Sequence, residues 1–226
     1  MTNEQIAKMI DHTILRADAT IEDVKKLCDE AKKYGFASVC VNSSFVSKVS
    51  EELLNSEVKV CTVVGFPLGA TIGEVKSYEA ELAVKQGADE IDMVINVGEL
   101  KARNIELVKC DIIGVVEAVK KINPSTVVKV IIETCLLTDE EKCIASKLAL
   151  EAGADFIKTS TGFSIGGAVV KDIKLMREIA GDKMKVKASG GIRDYNSFMS
   201  MVEAGADRIG TSNGVNIVEV NFDSLI

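Results

Sequence analysis

The stretches GADEIDM (87–93), GADFIKT (153–159) and GADRIGT (205–211) repeat one pattern, and GFASVCV (35–41) is a weaker copy of it. From first to last they begin 52, 66 and 52 residues apart. A second pattern lies between them in VKVCTVV (58–64), VKVIIET (128–134) and MKVKASG (184–190). With IDHTIL (10–15), these stretches make eight apolar strands of two alternating types, and a segment of helical period follows each strand.

This alternation predicts an α/β protein: a single (β/α)₈ TIM barrel over residues 1–226, with a short N-terminal helix. A doubly wound open sheet is the alternative. That fold usually carries G-x-G-x-x-G after its first strand, and the motif is absent here. Helix starts are predicted at Thr20, before a helix that stops at Gly35, and at the T-x-x-E pairs Thr71 with Glu74 and Thr138 with Glu141.

The composition excludes several classes of protein. Net charge is −7 over 226 residues without a run of five like charges, so we expect no nucleic-acid partner. Apolar runs stay below ten residues and the first twenty residues lack a signal-peptide core, which predicts a cytoplasmic protein with no membrane partner. The six cysteines lack a C-x-x-C pair and are read as unpaired thiols. Because His12 is the only histidine, we expect no metal site and no metal cofactor.

The repeat also predicts which side chains face the barrel lumen, because strand side chains alternate between its two faces. The fifth residue after each even-strand glycine belongs to one inward layer, made of Cys40, Asp92, Lys158 and Gly210. The residue two beyond the odd-strand lysine also points inward, which adds Cys61, Ile131 and Lys187. Two lysines and one aspartate should therefore share the lumen.

Buried lysines suggest a chemistry. Burial and a neighbouring ammonium group both lower the pKa of a lysine, and a neutral amine attacks a carbonyl carbon to form a Schiff base. Lys158 and Lys187 both precede small residues at the strand ends, where the active sites of such barrels lie. Ordinary paired or partly solvated lysines are the competing interpretation.

Three glycine-bearing segments end the last three strands: STG (160–162), SGG (189–191) and GTSNG (210–214). Backbone N–H groups in such loops bind phosphate, and loops after the seventh and eighth strands do so often in barrels. Each glycine could instead serve only a tight turn. Together the three segments favour a phosphorylated ligand.

Other polar residues have weaker assignments. Asp11 and Thr13 should join a hydrogen-bond network near Lys187, and Glu133 should point inward to support a lysine or form an ion pair. His12 has outward parity and is predicted to be structural. Three further lysines are predicted to start their strands: Lys59, Lys129 and Lys185. Strands start at the amino-terminal end of the barrel, which contributes to stability rather than catalysis, so a charge network is expected there.

Cys40 differs from the other cysteines because it shares the predicted layer of Asp92 and Lys158. A thiol beside two lysines should have a lowered pKa. Cys61 is expected to lie lower in the barrel.

The chain resembles the deoxyribose-phosphate aldolase family from end to end. The motifs that carry the resemblance are IDHTIL, VCTVVGFPLG, EIDMVINVG, KVIIET, DFIKTSTGF, KASGGIR and RIGTS, in the order of the family. The resemblance implies a metal-free class I aldolase on a TIM barrel. Such an enzyme cleaves 2-deoxy-D-ribose 5-phosphate reversibly at C2–C3, giving acetaldehyde and D-glyceraldehyde 3-phosphate.

The resemblance also implies roles for individual residues. It makes Lys158 the Schiff-base lysine, Lys187 the second lysine and Asp92 a proton relay. It assigns phosphate binding to Gly162, Gly190, Gly191 and Ser212. Phe163 stands where some family members have a lysine. The implied partners are a small phosphosugar and acetaldehyde, and assembly as a homo-oligomer stays open.

Three alternatives share part of this pattern. Another lysine-imine barrel, such as a transaldolase-like or thiazole-forming enzyme, would act on a different sugar. A non-catalytic phosphosugar-binding barrel would need the glycine loops and not the two lumen lysines. A pyridoxal phosphate enzyme would use a lysine and a phosphate site, and its absorbance near 400 nm would distinguish it.

Overall fold

The computed structural model describes residues 1–223, and positions 224–226 of the predicted domain lie outside the described residues. Eight parallel strands form a closed barrel in sequence order, with β8 paired to β1. This confirms the predicted TIM barrel. The strands are β1 Ile10–Ile14, β2 Ser38–Val41, β3 Lys59–Val64, β4 Glu90–Val94, β5 Val127–Ile131, β6 Phe156–Lys158, β7 Lys185–Ser189 and β8 Arg208–Thr211.

Helices alternate with the strands, and the predicted short N-terminal helix precedes β1. Short 3₁₀ turns at Ser43–Phe45 and Thr134–Leu136 follow β2 and β5. The helices are α1 Asn3–Ala7, α2 Ile21–Tyr34, α3 Val46–Glu52, α4 Gly73–Lys85, α5 Val97–Lys101, α6 Ile105–Ile122, α7 Asp139–Glu151, α8 Val170–Ala180, α9 Tyr195–Glu203 and α10 Gly214–Asp223. Within residues 1–223, no helix combines the length and apolarity needed to cross a membrane.

Two of the three predicted helix starts are confirmed. Thr20 caps α2, which ends at Gly35 with φ 70°, and Thr138 forms a capping box with Glu141. The prediction at Thr71 is wrong. Helix α4 begins one residue later, after Ile72, so Glu74 occupies the second helical position and cannot complete a capping box.

The outward faces of the strands are mostly apolar. Outward residues of neighbouring strands, such as Val39 and Val60 or Ile91 and Val128, are register partners. They belong to the main hydrophobic core beneath the helices. The inward face carries the charged side chains, so the lumen is the polar compartment of the molecule. The accessible surface of 10329 Å² is that expected for a monomer of this mass.

The upper ends of β5 and β6 differ in a way that shapes the site. Strand β5 ends at Ile131, before the predicted limit of residue 134, because Glu133 adopts a left-handed conformation with φ 55° and starts a 3₁₀ turn. Lys158 is the last residue of β6. It therefore lies at the carboxyl edge of the barrel, where active sites of this fold are found.

Candidate active site

Asp92 binds the two lysines that the repeat brings into the lumen. The Nζ atoms of Lys158 and Lys187 each donate to Asp92 Oδ2 at 2.7 Å. Lys158 is 3% exposed, while Lys187 and Asp92 are fully buried. Lys158 and Lys187 are register partners on β6 and β7, so the two strands present both ammonium groups to the same carboxylate oxygen.

The second oxygen of Asp92 binds a lysine that sequence reasoning placed elsewhere. Lys129 Nζ donates to Asp92 Oδ1 at 2.8 Å and pairs with Glu90 at 2.6 Å. The prediction that Lys129 starts its strand is wrong: it is the third residue of β5 and the register partner of Asp92. Lys59 and Lys185 do start their strands, as predicted, and the structure shows both to be exposed.

The balance of charges sets the protonation of Asp92 and Lys187. Burial alone would raise the pKa of Asp92, but Lys129, Lys158 and Lys187 hold that pKa well below its usual range. Burial would lower the pKa of Lys187, but Asp11 and Asp92 raise it above its usual range. Asp92 is therefore a carboxylate and Lys187 an ammonium at neutral pH.

Asp11 joins this cluster from β1, as predicted. Its carboxylate pairs with Lys187 and, at 2.5 Å, with Arg208 of β8. Burial acts against ionisation of Asp11, but Arg208 and the lysines lower its pKa. The Thr13 hydroxyl donates to the backbone oxygen of Asp11 at 2.8 Å, so it braces the strand end.

His12 points away from the lumen, as its parity predicts. Its Nε2 lies 2.7 Å from Glu30, and its ring packs 4.9 Å from that of Phe36. Burial lowers the pKa of His12 more than Glu30 raises it. The structural assignment of His12 is consistent with these contacts.

A cavity of about 580 Å³ opens above the carboxyl ends of β1, β6, β7 and β8. Lys158 lines it, together with the residues predicted to bind phosphate: Gly162, Gly190, Gly191 and Ser212. The three glycines have φ between 81° and 84°, a conformation that side chains rarely adopt. These loops therefore surround the space into which Lys158 projects.

Close backbone packing holds the loop after β7. A Cβ atom at Gly167 would lie 2.2 Å from the Gly190 carbonyl oxygen, and Ala168 N–H donates to that oxygen at 3.0 Å. The segment after β6 thus supports Gly190 directly.

Comparisons with known proteins agree with this geometry. The model of the family described as DeoC/LacD family aldolase matches residues 5–219. The chain is 59% identical over 219 residues to the deoxyribose-phosphate aldolase of Carboxydothermus hydrogenoformans, covering 97% of this chain and 96% of that protein. It is 58% identical over 215 residues to that of Clostridium tetani, covering 95% and 98%. This chain belongs to the DeoC/LacD aldolase family.

Solved structures show the same relationship. The tetrameric deoxyribose phosphate aldolase of Aeropyrum pernix superimposes with a TM-score of 0.91 at 38% identity, covering 100% of this chain and 94% of that one. The aldolase barrel described here is therefore the family fold over its full length.

The aldolase carries an aromatic residue at one side of its cavity. Phe163 lines the cavity, is 54% exposed, and contacts Phe66 edge to face at 5.3 Å. Arg193, which sequence reasoning missed, also lines the cavity. The signal was present, because Arg193 lies two residues after SGG in KASGGIR.

Glu133 of the aldolase supports a loop and contacts neither Lys158 nor Lys187. Its buried carboxylate accepts hydrogen bonds from the backbone N–H of Thr161 at 3.3 Å and from the Thr161 hydroxyl. The expectation of lysine support or an ion pair is wrong, because the left-handed backbone at Glu133 turns it toward the loop after β6. Glu133 thus fixes the residue before Gly162.

Two thiols lie in the lumen of the aldolase. Cys40 faces inward and is fully buried, and a hydrogen bond from Cys61 lowers its pKa. Cys61 is the register partner of Cys40. Register partners on tilted strands do not lie at one height in a barrel, so the expectation that Cys61 lies lower stays a prediction. Burial raises the pKa of Cys61, whose Sγ lies 3.3 Å from Asp92 Oδ1.

Within the described residues, two groups of donor atoms lie close enough together to hold a metal ion: Cys40, Cys61 and Asp92, and Asp11, Cys61 and Glu90. All three carboxylates in these groups form ion pairs with protein cations. The cationic side chains occupy the place that a metal ion would take beside these oxygens. The expectation that no cofactor is required stays a prediction.

Proposed function

We propose that this protein is a class I aldolase, an aldehyde-lyase that reversibly cleaves 2-deoxy-D-ribose 5-phosphate to acetaldehyde and D-glyceraldehyde 3-phosphate. One observation carries the proposal. Lys158 and Lys187 share one oxygen of Asp92, and Lys158 also lines the cavity bordered by the glycine loops. The names of the relatives support the choice of substrate.

The first step forms an imine on Lys158. The neutral amine attacks C1 of the open-chain aldehyde, and the carbinolamine loses its hydroxyl group as water. The product is a protonated imine, which draws electrons from the neighbouring bonds. Lys187 and Asp92 lie near enough to move the protons of this step, because Lys158 Nζ and Lys187 Nζ both donate to Asp92 Oδ2.

The second step breaks the C2–C3 bond. Loss of the C3 hydroxyl proton turns C3 into the carbonyl carbon of glyceraldehyde 3-phosphate. The electron pair of the broken bond moves between C2 and C1, and the π electrons of the imine return to the Lys158 nitrogen as an enamine. Protonation at C2 and addition of water then release acetaldehyde and restore the amine.

The phosphate group would bind at the glycine loops. Gly162, Gly190, Gly191 and Ser212 line the cavity on the side of β6 to β8. Their backbone N–H groups supply uncharged donors, and Arg193 supplies a positive charge at the same cavity. Phe163 adds an apolar surface to the part of the cavity wall near these loops.

Cleavage and trapping together test the proposal. Chelator-treated protein should release acetaldehyde from 2-deoxy-D-ribose 5-phosphate. Borohydride reduction with acetaldehyde should add mass to the peptide that contains Lys158. An adduct on Lys187 would reverse the roles of the two lysines, and activity on a different phosphosugar alone would favour another lysine-imine enzyme.

The assembly and location of the protein are further proposals. The tetramer of the Aeropyrum pernix protein supports a homo-oligomer, as do the exposed apolar side chains of Leu68, Ile72 and Tyr78 near α4. Light scattering after size-exclusion chromatography measures the assembly. The proposed location is the cytoplasm, which cell fractionation tests.

A further inference from the structure

Five buried charges and the partly buried guanidinium group of Arg208 form a closed ring in the barrel lumen. Lys187 pairs with Asp92 at 2.7 Å and with Asp11, and Arg208 joins Asp11 at 2.5 Å to Glu90 at 3.4 Å. Lys129 closes the ring, at 2.6 Å from Glu90 and 2.8 Å from Asp92. We call this set the lumen ring; in order around it, the members are Asp92, Lys187, Asp11, Arg208, Glu90 and Lys129.

The signs of the charges alternate around the lumen ring. Three carboxylates face two ammonium groups and one guanidinium group, so the ring is neutral when all its members are ionised. Lys158 bonds to the ring only at Asp92 Oδ2, an oxygen that Lys187 already binds. Lys158 is thus a fourth cation against three anions.

The other inward titratable groups are the thiols of Cys40 and Cys61, which β2 and β3 present beside the ring. Burial raises the pKa of the Cys61 thiol, while the hydrogen bond from Cys61 lowers the pKa of Cys40, so the charge count is that of the state with both thiols protonated. The remaining charged inward groups belong to β1, β4, β5, β6, β7 and β8; they are Asp11, Glu90, Asp92, Lys129, Lys158, Lys187 and Arg208.

We propose that Glu90, Lys129 and Arg208 are positioning residues that keep the lumen ring neutral, so that Lys158 is the lumen cation that gives up its proton. They act through Asp92 and Lys187 and do not touch the substrate. The proposal deepens the proposed function, on which it rests, by assigning three residues below the cavity to the control of the nucleophile.

The direction in which each substitution shifts the deprotonation of Lys158 follows from the charge count. Removing an acid leaves excess positive charge, which makes Lys158 lose its proton at lower pH. Removing a base leaves excess negative charge, which stabilises the Lys158 ammonium and moves its deprotonation to higher pH. Removing one of each restores the balance.

The experiment measures imine formation with acetaldehyde, trapped by borohydride and quantified by mass spectrometry, from pH 5 to pH 10. Glu90→Gln should move the acid limb of this profile down by about one pH unit, and Lys129→Met should move it up by about one unit. These shifts are of the size expected for a unit charge roughly 7 to 10 Å away at an effective dielectric of about 20. Lys129 lies at the near end of that range, because Lys129 Nζ and Lys158 Nζ both contact the Asp92 carboxylate. The double variant should return to within a few tenths of the wild-type profile.

A second variant that removes a basic residue keeps the test valid if Lys129→Met does not fold. The Arg208 side chain is 16% exposed, so Arg208→Gln disturbs a less buried position and should also move the limb upward. Circular dichroism confirms the fold of each variant. Shifts of one sign for acid and base variants, no shifts, or a double variant that fails to cancel would overturn the proposal.

The experiments distinguish a wrong substrate assignment from a wrong role for the lumen ring. Trapping with acetaldehyde needs only the amine of Lys158 and not the phosphosugar. Wild-type protein that forms the adduct but does not cleave 2-deoxy-D-ribose 5-phosphate would refute the substrate, while the pH shifts would still decide the role of the lumen ring.

Discussion

Gly210 of β8 leaves the space that the side chain of Lys187 occupies. A Cβ atom at position 210 would lie 3.1 Å from Lys187 Cε and 3.1 Å from Ser189 Cβ, closer than ordinary van der Waals contact. The side chain of a buried lysine with two ion pairs has little room to give way. We therefore predict that Gly210→Ala shifts the Lys187 ammonium away from Asp92 and lowers kcat about tenfold.

Steady-state kinetics with 2-deoxy-D-ribose 5-phosphate measures this effect. Gly98→Ala is a matched control, because Gly98 is exposed in α5 and its nearest atom to an added Cβ is 3.4 Å away. Equal kcat for the two variants would show that the lumen accommodates the extra methyl group.

Lys187→Leu should fold but lose most activity at pH 7 and recover part of it at higher pH. Loss of this ammonium leaves Asp11 and Asp92 with excess negative charge beside Lys158, so the Lys158 amine forms only at higher pH. The profile of kcat/KM against pH measures the change. A variant profile parallel to that of the wild type would contradict the electrostatic role of Lys187.

Phe163→Lys should strengthen binding of the phosphorylated substrate. Residue 163 lines the cavity and is half exposed, so a lysine there can reach a phosphate and remain solvated. We expect KM for 2-deoxy-D-ribose 5-phosphate to fall about threefold, as for a partly exposed ion pair. KM for unphosphorylated deoxyribose is the control and should not fall. A similar decrease for both sugars would argue against phosphate at this end.

Thr138→Ala should destabilise the fold by about 1 kcal/mol, because it removes the side-chain cap of α7. Activity at 25 °C should not change. Thr71→Ala is the comparison, since Thr71 precedes a helix that Ile72 begins without a side-chain cap. Urea unfolding measures both; an equal loss at the two positions would mean that the Thr138 hydrogen bond contributes nothing.

Stability should fall steadily as the pH drops below about 5. Asp11 and Asp92 have folded-state pKa values below the unfolded value of about 3.9, so they stabilise the fold above that pH. As the pH falls, the unfolded chain binds protons that these two groups reject in the folded state. Each group contributes a slope of up to about 1.4 kcal/mol per pH unit.

Urea midpoints at pH 7, 5, 4 and 3 measure this slope. Asp11→Asn should be less stable at pH 7 and should show a shallower dependence on pH. A slope as steep as that of the wild type would assign the acid sensitivity to other carboxylates.

The repeat predicted the inward side chains because alternation along a strand needs no knowledge of its neighbours. Cys40, Asp92, Lys158 and Lys187 all face the lumen, although the weak copy at Gly35 supported only the first of them. The glycine loops were also predictable, since three strands end on them and strand ends meet at one edge of a barrel.

Relations between strands were not predictable in the same way. Lys129 binds Asp92 because β4 and β5 pair with those two residues side by side, and a sequence does not state the offset between strands. The same kind of offset makes Cys61 the register partner of Cys40. Glu133 escaped prediction because only its left-handed backbone turns it toward Thr161.

The ring of charges in the lumen has a consequence for how the chain assembles. Its members come from β1, β4, β5, β7 and β8, so both halves of the sequence supply them. A half-barrel of β1 to β4 would hold the inward carboxylates Asp11, Glu90 and Asp92 without the cations of β5, β7 and β8 that pair with them, which leaves these carboxylates unpaired. Closure at the seam between β1 and β8 therefore completes the interior electrostatically, and fragments of this barrel should gain their native order only when they are recombined.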